Sequence, residues 1–199
     1  MITERDKRIL KWIENFNSIT IDQCSKLFFS TSKMSYDLAR KRLRYLNREG
    51  AIKRYRKDPK SETVYFMDKR LKVHDLKILD VIVALQQFNT TTNEIILQNK
   101  IQINQFISYI VDATIVIGND YPILIEVDYT HYTNDKKIIN IINHLEGKHN
   151  RKYVFLIVRQ TIEEVSVENV GMKSKLVLVN WKFNSSDKLL RSLRSLLEP

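Results

Sequence analysis

The sequence predicts an α+β protein of two domains: a small helical domain closed by a β-hairpin over residues 1–70, and an α/β domain with a mixed sheet over residues 71–199. Two observations indicate this division. Three helix-like segments and two short alternating runs fill the first part, whereas the second alternates apolar strand-like runs with helices. Positive charge is also unevenly distributed, because residues 1–70 hold 18 of the 33 Lys and Arg but only 9 of the 23 Asp and Glu.

Composition excludes several classes of protein. A chain of 199 residues that is 43% hydrophobic and 28% charged is typical of a globular protein with a buried core. No apolar run is long enough to span a bilayer, and no signal-peptide segment follows Met1. Cys24 is the only cysteine, and no Cys/His cluster has the spacing of zinc ligands. We therefore expect a cytoplasmic protein with no membrane partner, and no small-molecule substrate is evident.

Three helices are predicted in the first fifty residues. Thr3 caps the first, over residues 3–15, and Thr20 caps the second, Ile21–Phe28. The third, over residues 35–49, ends before Gly50, which suits the left-handed position after a helix. The apolar side chains expected to be buried are Ile9, Leu10, Ile13 and Phe16 on the first helix, Ile21, Cys24, Leu27 and Phe28 on the second, and Tyr36, Ala39, Leu43 and Leu46 on the third.

Most of the excess positive charge lies on the outer face of the third helix and on the hairpin that follows it, with strands over residues 52–57 and 63–67. The residues expected on this surface are Arg40, Lys41, Arg44, Asn47 and Arg48 on the helix, and Lys53, Arg54, Arg56 and Lys57 on the hairpin. Three helices followed by a basic hairpin is the order of a winged helix-turn-helix domain. In such domains the third helix enters the major groove of double-stranded DNA, and hairpin cations contact phosphates.

Other interpretations of this surface stay open. The cationic face of the helix is either a DNA-binding surface or a solvated face, as most charge runs are. A winged helix can also bind protein, and a localised positive charge can bind an anionic membrane surface. Because winged helices commonly bind paired half-sites, we expect a homodimer. An apolar helix predicted over residues 186–197 would either form the interface or cover the sheet.

The second part of the chain predicts helices and strands in a mixed order. Its segments are a helix over residues 73–88, strands over 94–103, 106–117 and 121–129, a helix over 134–145, strands over 153–159 and 175–181, and the helix over 186–197. A polar linker is expected over residues 89–92. The sequence Gly118-Asn119-Asp120 is a tight-turn signal, so the strands on either side of it should form a hairpin.

Three carboxylates are expected to converge on that hairpin. Asp112 lies early in the first strand, and Glu126 and Asp128 lie near the end of the second, on one face of it. Mg²⁺ prefers such oxygen ligands, and a metal held by Asp112 and Glu126 could activate water for phosphodiester hydrolysis. Alternatively, Glu126 and Asp128 are solvent-side residues of a half-buried strand. Against this, Glu126 lies within a long apolar run, where an unpaired carboxylate is costly.

This arrangement resembles the core of the PD-(D/E)XK nucleases, and the order helix, three strands, helix, strand is similar to that fold. The resemblance implies catalytic roles for Asp112, Glu126 and Asp128. Two positions depart from the motif: Val111 stands where proline is expected, and Asp128 stands where the lysine that activates water is expected. Lys136 or Lys137 could replace that lysine from the following helix.

Residues 5–160 also resemble the replication-relaxation proteins of Gram-positive plasmids, phages and integrative elements. The matching motifs are His74-Asp75-Leu76, Asp112, and Glu126-Val127-Asp128 followed by Thr130. This resemblance implies a role in replication or mobilisation of an extrachromosomal element. His74 taken alone is typical of a capping or packing residue, and Tyr129, Tyr132 and Tyr153 are expected in the core or at an interface.

Three functions remain in competition at this point. The first is a non-catalytic DNA-binding protein that acts in replication or its control on a mobile element. The second is an active Mg²⁺-dependent DNA endonuclease, and the third is a winged-helix transcriptional regulator. The replacement of the expected lysine by Asp128 favours the first over the second, and only the family resemblance favours replication over transcription.

Overall fold

The computed structural model describes residues 2–87, 92–117, 121–162 and 165–181, which belong to two compact units. We call the unit that ends at Gln87 the N-terminal unit and the one that follows it the C-terminal unit. Each contains its own sheet, of three strands and of six strands among the described residues. The predicted α+β class is confirmed. No helix in the described part of the chain combines the length and hydrophobicity that a membrane span requires.

The N-terminal unit combines four helices with a small antiparallel sheet, whose strand order is β1-β3-β2. Its elements are α1 (Glu4–Phe16), β1 (Ser18–Thr20), α2 (Ile21–Phe28), α3 (Ser35–Arg48), β2 (Lys53–Tyr55), β3 (Val64–Phe66) and α4 (Val73–Gln86). The three predicted helices and the hairpin are confirmed. Strand β1 was not predicted, and it pairs with β3 across more than forty residues of sequence.

The helix ends form for the reasons that the sequence indicates. Thr3 and Thr20 each begin a helix through a capping box, with Asp6 and Gln23 as the reciprocal partners. Gly50 takes a left-handed conformation, with φ of 78°, just after α3. The predicted apolar faces contribute Ile9, Ile13, Ile21, Cys24, Ala39, Leu43 and Leu46 to the buried core. The prediction for Tyr36 was wrong, because the first turn of α3 leaves this side chain exposed.

Helix α4 belongs to the N-terminal unit, although the sequence pattern assigned it to the second domain. The Gln23 side-chain amide on α2 donates hydrogen bonds to the Leu76 carbonyl (3.1 Å) and to Asp80 Oδ1 (2.7 Å). These contacts attach α4 to α2. The structural boundary therefore follows Gln87 rather than residue 70.

The C-terminal unit is a six-stranded mixed sheet with a helix on one face. Its elements are β4 (Thr92–Gln102), β5 (Ser108–Ile117), β6 (Tyr121–Asp128), α5 (Asp135–His149), β7 (Val154–Arg159), β8 (Ser166–Asn169) and β9 (Lys175–Asn180). The strand order is β4-β5-β6-β7-β9-β8. Strands β4, β5 and β6 are antiparallel neighbours, as expected of a hairpin, whereas β6, β7 and β9 run parallel and β8 is antiparallel to β9.

The core beneath α5 explains where the carboxylates lie. Ile138 and Ile141 on the helix pack against Leu124 of β6 and Phe155 of β7. Because side chains alternate along a strand, Leu124 shares its face of β6 with Glu126 and Asp128. Of the linker predicted over residues 89–92, the first three residues lie outside the described residues, and Thr92 begins β4. The turn at residues 118–120 and the helix predicted over residues 186–197 also lie outside them. Strand β8 was not predicted.

Candidate nucleic-acid interface and buried carboxylate cluster

The outer face of α3 presents three cations to solvent. Ala39, Leu43 and Leu46 form the buried face of this helix. Lys41, Arg44 and Arg48 are exposed on the other side, as the sequence predicts. We call these three side chains the α3 cations.

Two other residues predicted on this face have partners within the protein. Arg40 is half-buried and its guanidinium lies 2.8 Å from Asp37 Oδ1. The Asn47 side-chain amide donates to the Ile52 carbonyl at 2.7 Å, which ties the end of α3 to the start of the hairpin. Asn47 therefore has a clear structural contact in addition to its predicted role in binding DNA.

Arg42 lies in the same basic run but contacts the interior. Its guanidinium binds Asp6 of α1 through two hydrogen bonds, and the Asp6 side chain is fully buried. The hydrogen bond from Arg42 is the largest reason that the pKa of Asp6 falls from its ordinary 3.8 to about 2. Thr3 also donates to Asp6 from its backbone and its hydroxyl group. This ion pair fixes α3 against α1, and the sequence pattern did not predict it.

The hairpin places further cations beside the helix. Lys53, Arg54 and Lys57 are exposed, whereas Arg56 donates from Nε to the Ser61 carbonyl at 2.7 Å and also contacts the Pro59 carbonyl. Arg56 is therefore folded onto its own loop. Arg70, which was not predicted, lies 3.6 Å above the ring of Tyr55.

One cation of α3 and one of the hairpin approach the Tyr65 side chain on β3. Burial raises the pKa of Tyr65, and the positive charges of Arg44 and Arg54 oppose this increase. Arg44 belongs to α3 and Arg54 to β2, so both lie close to the same phenol. Arg44 of α3 and Arg54 of the hairpin therefore approach the same side chain, and Arg54 is also the partner of Tyr65 in the β2–β3 ladder.

Asp112 lies where the β5–β6 ladder ends. The last pair of that ladder is Ala113 with Ile125, and one residue further the Asp112 Oδ2 atom accepts the Val127 N–H at 2.8 Å. On the β4 side, Leu97 pairs with Ala113 and Asn99 pairs with Val111. Asp112 lies between these two pairs and faces Gln98, whose φ is +48°. A left-handed non-glycine residue is strained, and such strain is common at functional sites. The carboxylate thus replaces a backbone acceptor at the point where the strands separate.

Glu126 lies beneath α5 and is only 7% exposed. Its Oε1 atom accepts a hydrogen bond from Lys137 Nζ at 2.5 Å, and its Oε2 atom lies 3.3 Å from the Thr133 hydroxyl. Burial raises the pKa of Glu126 and the nearby charge of Asp112 adds to the increase, while Lys137 and Thr133 oppose it. Asp112 and Glu126 are therefore close, as the hairpin register predicts.

Asp128 is 5% exposed and has a different set of partners. Arg159 at the end of β7 donates from Nε to its Oδ2 atom at 2.6 Å. Thr133 donates from its backbone N–H to Oδ1 at 2.9 Å, and its hydroxyl lies 2.6 Å from the same atom. Glu126 and Asp128 are thus buried and ion-paired, which contradicts the alternative that they are solvent-side residues.

The predicted metal ligands Asp112 and Glu126 are brought together, but Glu126 is paired with a lysine. Within residues 2–87, 92–117, 121–162 and 165–181, no group of three or more His, Cys, Asp or Glu side chains is arranged to hold a metal ion. Of the two lysines considered as replacements for the missing motif lysine, Lys137 reaches Glu126, while Lys136 is exposed. In this arrangement the ammonium group of Lys137 neutralises the carboxylate that a Mg²⁺ ion would need.

The remaining candidate residues differ in exposure. His74 is half-buried at the start of α4, with Nδ1 3.6 Å from Asp75 Oδ1. Tyr153 is buried, as expected of a core residue, whereas Tyr129 and Tyr132 are exposed. Comparison of the chain with models of protein families, with curated proteins and with solved structures found no match.

Proposed function

We propose that this chain binds double-stranded DNA through a winged-helix surface formed by α3 and the β2–β3 hairpin. The observation that supports the proposal is that α3 and the hairpin both carry exposed cations, and that Arg44 and Arg54 approach the same residue, Tyr65. A cationic helix with one buried face has the shape that the major groove accepts, and the hairpin cations would contact phosphates beside it.

The contacts of the basic residues indicate which of them are expected to bind bases and which to bind phosphates. Arg44 and Arg48 are exposed arginines on α3, so they can reach base edges, where bidentate arginine contacts with guanine are the commonest specific ones. Lys53 and Arg54 on β2 would bind phosphates and contribute affinity without sequence choice. Arg56 and Asn47 already donate to backbone carbonyls, so we expect them to contribute less.

We further propose that the protein acts in replication or its control on a plasmid, phage or other mobile element. The support is the ordered set of motifs around His74, Asp112 and Glu126, which resembles the replication-relaxation proteins. In this proposal the C-terminal unit is a nuclease-like domain that does not cleave, because Asp128 is paired with Arg159 and Glu126 with Lys137. A homodimer would place two recognition helices on paired half-sites. Regulation of transcription would use the same DNA-binding surface.

One contact favours an active Mg²⁺-dependent endonuclease as the second candidate. Lys137 Nζ lies 2.5 Å from Glu126 Oε1, close to where a motif lysine beside the acidic pair would act, and Asp112 lies nearby. If Mg²⁺ displaced the lysine from the carboxylate, Asp112 and Glu126 would be its ligands and Lys137 would be able to activate water. A cleavage assay therefore separates the two candidates.

DNA binding is tested by measuring affinity for random-sequence duplexes across a range of salt concentrations. We expect binding to weaken with salt, and the Lys53→Ala/Arg54→Ala variant to lower the slope of log K against log salt by about one for each phosphate that the variant no longer neutralises. Lys11→Ala is the matched control, because Lys11 is an exposed cation on α1 that pairs with Glu14. An equal weakening of binding in the control and in the hairpin variant would contradict the surface assignment.

Sequence preference and cleavage are tested separately. Selection from a randomised duplex pool should enrich a site for the wild type, and Arg44→Ala should lose about 1–3 kcal/mol of discrimination at individual positions. Incubation of supercoiled DNA with Mg²⁺ or Mn²⁺ should leave it intact. Cutting that disappears in both Glu126→Gln and Lys137→Ala would establish the nuclease and overturn the non-catalytic proposal.

A further inference from the structure

Exposed aromatic side chains gather at one edge of the large sheet. Strands β6, β7 and β9 run parallel, so their carboxyl ends lie at the same edge. Tyr129 follows β6 and Trp181 follows β9, and their rings stack with centroids 5.2 Å apart and planes inclined by 14°. Tyr132 lies in the loop after β6. Tyr129 is 41% exposed and Tyr132 is 66% exposed. We call Tyr129, Tyr132 and Trp181 the aromatic platform.

Contacts with the sheet hold the platform in place. Trp181 Nε1 donates to the Val158 carbonyl at 3.2 Å, and its backbone N–H donates to the Arg159 carbonyl at 3.1 Å. The Arg159 guanidinium lies 4.9 Å from the centroid of the Tyr132 ring, and the Tyr132 hydroxyl lies 3.4 Å from Thr161 Oγ1. These rings are therefore positioned before any ligand arrives, which reduces the entropy lost on binding.

The buried carboxylate of Asp128 helps to hold the loop that carries Tyr132. Asp128 accepts the Thr133 backbone N–H and binds Arg159, so it ties the loop that carries Tyr132 to the end of β7. A lysine at position 128 would provide neither contact, because it has no acceptor for the Thr133 N–H and would repel Arg159. The residue that departs from the nuclease motif thus has a structural role beside Tyr132.

The buried charges at this edge are paired within the protein. Glu126 and Asp128 are buried, and each is neutralised by a cation, Lys137 or Arg159. His131 in the loop and Lys136 in the first turn of α5 are exposed, and Asp135 is an exposed acid beside them. A nucleic acid strand that approached the rings would meet covered carboxylates and a partly exposed guanidinium.

We propose that the aromatic platform binds single-stranded DNA by stacking unpaired bases on Tyr132 and on the exposed side of the Tyr129–Trp181 pair. Aromatic rings placed beside cations bind single strands without strict sequence preference, because every base offers a flat π surface. The identity of the ligand as DNA rests on the proposed function, in which the N-terminal unit binds the duplex. The platform would then hold a strand that has become unpaired.

The fluorescence of Trp181 gives a direct readout of the platform. The chain has two tryptophans, Trp12 and Trp181, so the full-length Trp12→Phe variant reports on Trp181 alone. An oligothymidine of about 12 nucleotides should quench this fluorescence, because stacked bases quench tryptophan. Adding Tyr132→Ala should weaken binding about tenfold or more, while Tyr132→Phe, which keeps the ring, should bind like the parent.

Met172→Ala is the control, since Met172 is a highly exposed apolar residue between β8 and β9, at the opposite edge of the sheet from the platform. It should not change the quenching. The proposal is overturned by an absence of quenching, by equal weakening in the Met172 control, by unchanged binding in Tyr132→Ala, or by equal quenching with the oligonucleotide annealed to its complement. Oligouridine that bound more than about tenfold tighter than oligothymidine would also overturn it, in favour of RNA.

The same protein separates this proposal from the proposed function. Arg44→Ala combined with Arg54→Ala, in the Trp12→Phe background, should weaken duplex binding while leaving the quenching by oligothymidine unchanged. Loss of quenching with intact duplex binding refutes the platform alone. Quenching without any duplex binding refutes the winged-helix surface and leaves the platform supported.

Discussion

The buried Asp6–Arg42 pair makes a quantitative prediction about the stability of the N-terminal unit. Asp6→Asn keeps the size of the side chain and an oxygen that can accept from Thr3, but it removes the charge that binds Arg42. The pKa of Asp6 falls from 3.8 to about 2 in the folded protein. At about 1.4 kcal/mol for each pKa unit, the charged carboxylate contributes about 2 kcal/mol to the free energy of unfolding at neutral pH.

The pH dependence has a definite sign. Because the folded-state pKa is lowered, the contribution is fully present above the ordinary pKa of 3.8 and is lost as the pH falls from there through about 2. The wild type should therefore be about 2 kcal/mol more stable than Asp6→Asn at pH 7, and the difference should shrink toward zero near pH 2. A neutral carboxyl group and an amide then differ little.

Denaturant unfolding of the full chain measures this difference. In a Trp181→Phe background the fluorescence of Trp12, which is buried in α1, reports on the N-terminal unit. Glu4→Gln is the matched control, because Glu4 lies in the same helical turn but forms only an exposed pair with Lys7. That substitution should cost less than about 1 kcal/mol. A pH-independent difference for Asp6→Asn, or one no larger than that of the control, would refute the assignment of this stability to the buried pair.

Three further predictions concern single groups. Because burial raises the pKa of Glu126 above its ordinary 4.5, the C-terminal unit should lose stability as the pH rises above that value, and Glu126→Gln should remove this dependence, as followed by Trp181 fluorescence in unfolding titrations. Burial raises the pKa of Cys24 to about 12, so a thiol reagent should label the native protein far more slowly than the denatured one, with the rate read from absorbance. Gly50→Ala should lower the unfolding free energy by about 1 kcal/mol in denaturant titrations, because the site has φ of 78° and no atom near the added methyl group; an unchanged value would contradict the strain.

Local signals explain why the N-terminal helices could be predicted closely. The threonine at position 20 and Gln23 form a capping box that is visible within four residues, and Gly50 marks a helix end in the same way. Strand β1 has no comparable signal, since three residues form a strand only because β3 lies beside them in the folded chain. Arg42 shows the same limit. It looks like part of a basic surface, and only the folded structure brings it to Asp6.

The carboxylate cluster also combines contacts that the sequence could predict with contacts that it could not. Asp112 and Glu126 could be placed together because a hairpin fixes the register of its two strands. Their partners come from elsewhere: Lys137 lies on the crossover helix α5 and Arg159 at the end of a parallel strand. Parallel pairing depends on such crossovers, so no short pattern predicts which side chain will lie opposite a carboxylate.

The contacts of Asp128 support the proposal of binding rather than cleavage at this edge of the sheet. A hydrolytic site needs its acidic pair available to a metal and a lysine available to water. Here Glu126 binds Lys137. Asp128, where the nuclease resemblance predicts a lysine, binds Arg159 and the backbone of Thr133. Because of those contacts, the Arg159 guanidinium that neutralises Asp128 also packs against the Tyr132 ring. Asp128→Lys therefore distinguishes the two uses of the edge. It should abolish quenching of Trp181 by oligothymidine, whereas a metal site that lacked only this lysine would gain Mg²⁺-dependent cleavage.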